Sequence, residues 1–249
     1  MTTKPAAIAQ SGKTYSDYDL TDYIICPALS FINDNNSELP PRAIVKRRLR
    51  KGINEIALFL LDGNEPDDIT DIIHRVVNNI FSDLEYNRKE VDALGIIQTY
   101  TNFVHLIFSK ELEIEELSKS FTIQYDYINI ESQIDLVAVN PKTGKRELII
   151  VDFSNTKYEP RYNPIIYRCQ LVYDYMNLFS TNTEIKVLSL GKGSIWNFKY
   201  NMYHDLLNLS IKETLQSMKA GVYPVRVGWW CAGCVWRGIC HTVYENNIK

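Results

Sequence analysis

Four cysteines constrain what this chain can fold into more than any other feature of its sequence. Three lie close together near the C-terminus, in the pattern Cys231-x2-Cys234-x5-Cys240, and the fourth, Cys26, precedes Pro27 near the N-terminus. Four thiolates are a suitable ligand set for a zinc ion or for an iron–sulfur cluster. A metal centre that takes all four must hold the two ends of the chain together, which excludes a local zinc knuckle.

The compartment of the protein decides whether cysteines bind metal or form disulfides. No apolar run approaches the ~20 residues that span a membrane, and the polar N-terminus lacks the apolar centre of a signal peptide. We therefore expect an intracellular, cytoplasmic protein with no membrane contact, in which clustered thiols stay reduced and bind metal. The fifth cysteine, Cys169, follows an apolar helical spacing and is predicted to be a core residue.

Hydrophobic periodicity divides the chain into a helical first part and an α/β second part. The predicted regions are a disordered tail at 1–14, a helical region at 15–115, an α/β core at 116–220 and a cysteine segment at 221–249. Helices are predicted from Thr21, with an interruption around Pro27, and at about 42–62, 67–85, 89–110, 164–180 and 202–219. Strands are predicted for FTIQYDYINI, QIDLVAV, RELIIVDF, EIKVLSL and IWNFKY. This order predicts a mixed sheet with flanking helices.

Two aspartates lie among the β-branched residues of neighbouring predicted strands. Asp135 lies within QIDLV, and Asp152 ends IIVD. An unpaired carboxylate is costly to bury, and two facing carboxylates repel each other unless a cation lies between them. Hard oxygen ligands favour Mg²⁺ or Mn²⁺, which activates water and binds a phosphodiester oxygen. The alternative is that each acid ends its strand near solvent.

Residues 42–51, RAIVKRRLRK, concentrate positive charge in a chain whose net charge is −3. The run includes Lys46, Arg47, Arg48 and Arg50, ahead of the apolar part of a predicted helix. It is either a solvated helix face or a patch that contacts the phosphates of DNA.

Three groups of residues resemble the PD-(D/E)XK nuclease superfamily. The resemblance is greatest to its iron–sulfur branch, which contains RecB-like exonucleases, AddB-type helicase–nucleases and CRISPR-associated RecB-like exonucleases. The groups are the residues around Cys26-Pro27 from Tyr15 to Phe31, the two aspartates, and Gly221-Val222-Tyr223-Pro224 followed by the C-x2-C-x5-C pattern. The resemblance spans nearly the whole chain.

The resemblance implies a restriction-endonuclease-like α/β core with a 4Fe–4S cluster that joins the N- and C-termini. The implied cluster ligands are Cys26, Cys231, Cys234 and Cys240. The resemblance also implies that Asp135 and Asp152 are catalytic acids that hold Mg²⁺ or Mn²⁺, and that Gln170 assists them from the helix after the core strands. The implied partners are single-stranded DNA or duplex ends, and other subunits of a DNA-processing complex.

The catalytic residues of the family are matched incompletely. Ser154 stands where the family has a lysine two residues after the second acid, and Lys157 is the nearest substitute. Ile56 stands where the family has a histidine, and Asp174 stands where a tyrosine follows the glutamine by four residues. The loss of such a group costs on the order of 10²–10⁴ in rate.

Three functions are consistent with this pattern. The first is metal-dependent, exonuclease-like cleavage of DNA, with Lys157 and Gln170 assisting Asp135 and Asp152. The second is a catalytically impaired module that keeps the nuclease fold and the iron–sulfur cluster for DNA binding or for assembly. The third is a zinc-stapled structural protein, because zinc also satisfies four thiolates.

Overall fold

Helices cover both faces of a six-stranded mixed β-sheet, so the chain adopts an α/β fold. The structure is a computed structural model that describes residues 14–27, 41–62, 69–82, 89–109, 112–153, 165–177, 183–190, 193–198 and 204–222. Within these ranges, no helix is both long enough and apolar enough to cross a lipid bilayer.

The helices and strands alternate irregularly along the chain. The described helices are α1 (Asp17–Ile25), α2 (Pro41–Leu61), α3 (Ile69–Phe81), α4 (Lys89–Ser109), α5 (Ile165–Asn177) and α6 (His204–Lys219). The described strands are β1 (Thr14–Ser16), β2 (Glu113–Tyr125), β3 (Ile128–Asn140), β4 (Lys145–Asp152), β5 (Thr183–Ser189) and β6 (Ser194–Phe198). Helices α1 to α4 precede β2, and the remaining two follow β4 and β6.

β3 is the central strand because three other strands pair with it. β2 runs antiparallel along nearly its whole length, through a hairpin that turns at Asp126 and Tyr127. On the opposite edge, β1 pairs in parallel with residues 129–131, and β4 pairs antiparallel with residues 136–140. β5 continues the sheet parallel to β4, and β6 follows antiparallel to β5.

Residues 132–135 of β3 form a gap between these two pairings, where neither β1 nor β4 adds a described ladder partner. Buried backbone groups need hydrogen-bond partners from elsewhere in such a place. Nη2 of Arg168 donates to the carbonyl of Gln133 at 2.8 Å. The backbone N–H of Val151 in β4 donates to the carboxylate of Asp135 at 2.7 Å. Side chains therefore complete the hydrogen bonding at the gap.

The two faces of the sheet carry two hydrophobic cores. α2, α3 and α4 cover the face that contains Leu136. α1, α5 and α6 cover the face that contains Val137 and Ile150. Asp152 alternates with Val151 and so lies on this second face, and Asp135 contacts Arg168 of α5, a helix that covers the same face.

A close approach between α2 and α4 sets the spacing of the first core. Gly52 of α2 lies against Tyr100 of α4, whose hydroxyl donates to the carbonyl of Leu49 at 2.9 Å. A Cβ atom at Gly52 would lie 2.2 Å from the Tyr100 hydroxyl oxygen and 2.6 Å from Cγ1 of Val76. Glycine at this position therefore has a packing role.

The mixed sheet with flanking helices is confirmed, but two parts of the sheet differ from prediction. FTIQYDYINI is not one strand, because the chain turns at Asp126, whose φ is 54°, and its second half belongs to β3. β1 was not predicted, and its residues lie where the predicted disordered tail, which ends at Thr14, meets the region predicted to be helical. α1 begins at Asp17 rather than Thr21, because Ser16 forms a capping box with Asp19.

Candidate functional site

Asp135 lies in the gap of β3 and is only 2% exposed. Its Oδ2 accepts the hydrogen bond from the N–H of Val151 and lies 3.5 Å from Nη1 of Arg168. Its Oδ1 lies 3.8 Å from Nε of Arg50. Both carboxylate oxygens therefore face donors or cations from this chain, which offset the cost of burying the charge.

Arg168 is the centre of the ion-pair cluster, a name used here for Asp17, Arg50, Asp135 and Arg168. It is buried on α5, and its Nε donates to Oδ2 of Asp17 at 2.7 Å. The hydroxyl of Ser132 donates to the same Oδ2 at 2.9 Å. One guanidinium thus joins the start of α1, the gap of β3 and the helix α5.

Arg50 reaches the cluster from α2 and is its most solvent-exposed member, with a side chain that is 19% exposed. Its guanidinium lies 4.4 Å from the ring centroid of Tyr18, which is a cation–π contact. Burial lowers the pKa of Arg50, and the nearby charge of Arg168 lowers it further, whereas Asp135 and Asp17 oppose both effects. The cluster therefore opens towards solvent at the Arg50–Tyr18 pair.

The charges of the cluster compensate one another. Burial acts to lower the pKa of Arg168, but the carboxylates of Asp135 and Asp17 outweigh burial and raise it. Two guanidinium groups face two carboxylates, so the four side chains have no net charge. A buried arrangement of this kind tolerates the loss of one member poorly, since an uncompensated charge remains.

Asp152 ends β4 and is 8% exposed. It lies on the strand next to that of Asp135, and the contact of Asp135 with Arg168 places both acids on the face that α5 covers. Ser154 and Lys157 lie outside the described residues, so the role of Lys157 stays a prediction.

The surroundings of Asp135 do not fit a Mg²⁺ or Mn²⁺ ion. Such ions take carboxylate and water oxygens as ligands, at about 2.0–2.1 Å for Mg²⁺. Here the carboxylate faces two guanidinium groups within 4 Å, and these repel a divalent cation. In the described ranges, no three His, Cys, Asp or Glu residues are grouped to hold a metal ion. The metal-ligand role of Asp135 stays a prediction, and in this arrangement two guanidinium groups meet its charge.

Gln170 is fully buried on α5, but its amide belongs to a second polar cluster. Its Nε2 donates to Oδ1 of Asp174 at 2.8 Å and lies 2.6 Å from Nδ1 of His204. The hydroxyl of Tyr125 also donates to Asp174, and Nδ2 of Asn208 lies 3.0 Å from Nε2 of His204. These contacts join α5 to α6 and β2, and none of the contacts described for Gln170 reaches the aspartates of the sheet.

Burial raises the pKa of Asp174 in this second cluster. The hydrogen bond from Tyr125, the charge of His204 and the hydrogen bonds from Gln170 and Asn208 act in the opposite direction, but burial outweighs them. Burial also raises the pKa of Tyr125, and the negative charge of Asp174 adds to that effect.

Cys26 is the one predicted cluster ligand within the described residues, and it is the C-cap residue of α1. Its side chain is buried. Tyr23, one turn earlier, donates its hydroxyl to the carbonyl of Val222, just after α6. α1 therefore lies beside the chain that leads into the C-terminal segment. The other predicted ligands lie outside the described residues: Cys231, Cys234 and Cys240.

Cys169 is a core residue, as its apolar spacing predicts. It is 0% exposed on α5, and burial raises the pKa of its thiol. A neutral, buried thiol of this kind is a poor metal ligand.

Two of the four cations predicted to contact DNA have partners within the fold. Nη1 of Arg48 donates to the carbonyls of Ile80 at 2.9 Å and Ser82 at 2.7 Å, where α3 ends. Carbonyls in a last helical turn lack intrahelical donors, so Arg48 caps α3. Arg50 belongs to the ion-pair cluster. The side chains of Lys46 and Arg47 lie outside the described part of α2, and their contact with DNA stays a prediction.

Arg168 and Asp17 were not identified from the sequence. A signal existed for Arg168, which lies in the apolar helical stretch IIYRCQLV, where a cation needs a buried partner. Asp17 gave no such signal, because an acid in the first turn of a helix usually interacts only with the helix dipole.

Neither a protein-family model nor a curated protein sequence matches this chain. Among solved structures, the chain is similar to the crystal structure of a protein designated SSO0001, with 14% sequence identity. The superposition covers 93% of this chain and 87% of that chain, with a TM-score of 0.43. A likeness at this level carries no information on activity.

Proposed function

We propose that this protein has a PD-(D/E)XK nuclease fold that binds DNA without cleaving it. The observation that carries the proposal is the pairing of Asp135 with Arg168 at 3.5 Å and with Arg50 at 3.8 Å. In a metal-dependent nuclease this carboxylate would be available to a divalent cation. Here two arginines supply the positive charge, and they supply no water-activating site.

The sequence departures support the same conclusion. Ser154 stands in the place of the family lysine, and Ile56, in the place of the family histidine, is 0% exposed in the core. Gln170 is bound to Asp174 and His204. The residues that would assist catalysis are thus replaced or directed elsewhere, while the sheet and its helices are kept.

The proposal includes a 4Fe–4S cluster held by Cys26, Cys231, Cys234 and Cys240. Such a cluster supplies four iron–thiolate bonds, which act here as a clasp between the ends of the chain. The support is that Tyr23 of α1 contacts Val222, from which the chain continues towards Cys231. A reducing, cytoplasmic location keeps the thiols available, and other subunits of a DNA-processing complex are the expected protein partners.

Metal-dependent, exonuclease-like cleavage is the second candidate function. It is favoured by the position of Asp135 and Asp152 on adjacent strands and on one face of the sheet. This function requires Arg168 and Arg50 to release Asp135 when DNA and Mg²⁺ or Mn²⁺ bind, with Lys157 taking the place of the family lysine.

One experiment separates the two candidates. Labelled single-stranded and duplex DNA are incubated with anaerobically purified protein and Mn²⁺ or Mg²⁺, while binding is followed by fluorescence anisotropy at low salt. We expect binding with no shortening of either DNA. Cleavage that is lost in Asp152→Ala, with binding retained, overturns the proposal in favour of the nuclease. An absence of binding to both DNAs overturns the DNA-binding function itself.

Electron paramagnetic resonance of Mn²⁺ tests the reason for inactivity. Added Mn²⁺ should give the full signal of the free ion with wild-type protein, since the arginines repel it. Arg50→Gln removes the more exposed of the two guanidinium groups and should increase the bound fraction. Tight Mn²⁺ binding by the wild type contradicts the proposed replacement of the cation by arginine.

Metal analysis tests the cluster, with Cys169 as a matched control. Wild-type protein purified without oxygen should contain iron and sulfide and absorb visible light. Cys234→Ala should lose iron, whereas Cys169→Ala should keep it, because Cys169 is a core residue. Stoichiometric zinc in a colourless wild-type protein rules out the cluster and supports the zinc-stapled alternative.

A further inference from the structure

A cleft beside the β2–β3 turn lies apart from the ion-pair cluster. Its volume is about 310 Å³, near the lower end of the ~300–1,000 Å³ range of ligand sites. Ile128 lines the cleft at the start of β3, and roughly 23 Å of extended strand, at about 3.3 Å per residue, separates it from Asp135. The cleft is therefore not part of the site around Asp135.

The cleft is lined by buried apolar residues and by an exposed aromatic residue. The buried apolar residues are Ile128 and Leu215. Tyr127 is 78% exposed, and it lies in the two-residue turn between the paired residues Tyr125 and Ile128. The ring of Tyr127 adds almost nothing to the core, so its exposed face is available to a planar ligand.

Two lysines also line the cleft. Lys212 and Lys219 line it from α6, and both are exposed. Seven residues correspond to about two helical turns, so the two lysines project from one side of α6, with Cα atoms about 10.5 Å apart along its axis. Asp126 is the one carboxylate among the residues that line the cleft, so the lining is net positive in a chain whose net charge is −3.

We propose that this cleft binds single-stranded DNA, with a base stacked on Tyr127 and phosphates contacted by Lys212 and Lys219. An aromatic platform beside basic side chains is the chemistry that binds unpaired strands with little sequence preference. The bases of a duplex are already stacked on one another and offer no face to Tyr127. The inference rests on the proposed DNA-binding function and adds a contact surface to it.

Fluorescence anisotropy with labelled single-stranded oligo-dT tests the cleft in the full-length protein. Tyr127→Ala should weaken binding roughly 5- to 100-fold, whereas Tyr127→Phe, which keeps the ring, should bind like the wild type. An equal affinity of Tyr127→Ala and wild type overturns the proposal. Because Tyr127 is exposed, neither change should unfold the protein, which circular dichroism verifies.

The salt dependence tests the lysines separately. Each phosphate contact on a single strand contributes about −0.7 to the slope of log K against log salt. Lys212→Gln with Lys219→Gln should therefore make the slope shallower by about 1.4, while Lys142→Gln, in the β3–β4 turn, should leave it unchanged. An unchanged slope in the double variant overturns the assignment of these lysines to phosphate.

Competition identifies the ligand and separates this inference from the proposed function. Unlabelled oligo-dT should displace the probe, whereas duplex DNA, polyglutamate and dTMP should compete weakly. Strong competition by polyglutamate, which has no bases, would show that the cleft binds by charge alone and would overturn base stacking. Strong competition by dTMP would identify the ligand as a free nucleotide and overturn the proposal of a DNA strand. If the cleft variants bind normally but Lys46→Gln with Arg47→Gln does not, the cleft fails while the DNA-binding function stands. If wild type binds no DNA, both fail.

Discussion

Arg168 donates from its Nε to Oδ2 of Asp17 at 2.7 Å, and both side chains are only 4% exposed. The two residues are 151 positions apart in the chain. Their contact holds the start of α1 against α5, across the part of β3 that has no ladder partner on this edge among the described strands. Because Arg168 also donates to the carbonyl of Gln133, the pair holds a donor for the backbone of β3 as well as balancing buried charge.

The pairing predicts that Asp17→Asn is strongly destabilising. Arg168 would keep its contact with Asp135 but lose the carboxylate that faces its Nε, so one positive charge in the core would be uncompensated. We expect a loss of about 3–5 kcal/mol in the free energy of unfolding, measured by urea denaturation. Glu213→Gln on the exposed side of α6 is the control, with an expected change within about 0.5 kcal/mol. A loss from Asp17→Asn no larger than that of the control would show that the pair is unimportant.

The layered fold could be predicted because its signals are local. The apolar residues of α3, for example, recur at helical spacing and are all buried, so the helix predicted at 67–85 is found at Ile69–Phe81. The β2–β3 turn could not be predicted in the same way, because Asp126-Tyr127 lacks the Asn-Gly or Asp-Gly signal of a tight hairpin.

The candidate site could be predicted only in part. Asp135 and Asp152 were found because acids among β-branched residues are conspicuous in a sequence. The arginines that neutralise Asp135 were not assigned to it, because Arg50 belonged to a basic run and Arg168 to an apolar helix. Which cation faces a given carboxylate is a property of contacts between distant segments, and such contacts leave no periodic pattern.

Gly52→Ala should destabilise the core between α2 and α4. The added Cβ would lie 2.2 Å from the Tyr100 hydroxyl oxygen and 2.6 Å from Val76, both buried. Overpacking of this kind costs about 1–3 kcal/mol, which urea denaturation measures. Gly95→Ala is the matched control, because a Cβ at Gly95 meets nothing within 4 Å. Gly95→Ala should stabilise α4 by about 0.5–1 kcal/mol. A gain of stability in Gly52→Ala as well would contradict the close approach of α2 to α4.

Tyr23→Phe should loosen the junction between α1 and the C-terminal segment. The variant keeps the buried ring but removes the hydroxyl that donates to the carbonyl of Val222. We expect a cost of about 0.5–1.5 kcal/mol in unfolding free energy, together with faster proteolysis beyond residue 222, located by mass spectrometry. Tyr18→Phe controls for loss of a hydroxyl, since the ring of Tyr18 is half exposed and contacts Arg50 by its face. Equal rates of proteolysis in Tyr23→Phe and Tyr18→Phe would show that the Tyr23–Val222 contact does not support the proposed clasp between the ends of the chain.

Asp174→Asn should change how stability depends on pH. Burial raises the pKa of Asp174 above its ordinary value of 3.8, so the folded protein holds this proton at pH values where the unfolded chain has lost it. The free energy of unfolding therefore contains a contribution that is present at low pH and is lost as pH rises from about 3.8 through the raised pKa.

An asparagine cannot titrate, yet its Oδ1 still accepts a hydrogen bond from Tyr125. Urea denaturation of Asp174→Asn at a series of pH values, starting near 3.8, should accordingly show a smaller decline of stability with rising pH than the wild type shows. Nε2 of His204 lies 3.9 Å from Oδ1 of Asp174 and its charge opposes the shift, so His204→Gln is the variant that separates its contribution. If the free energy of unfolding of Asp174→Asn declines with rising pH as steeply as that of the wild type, the carboxyl of Asp174 is not the group responsible. A decline that disappears in His204→Gln but persists in Asp174→Asn would contradict the assignment to Asp174.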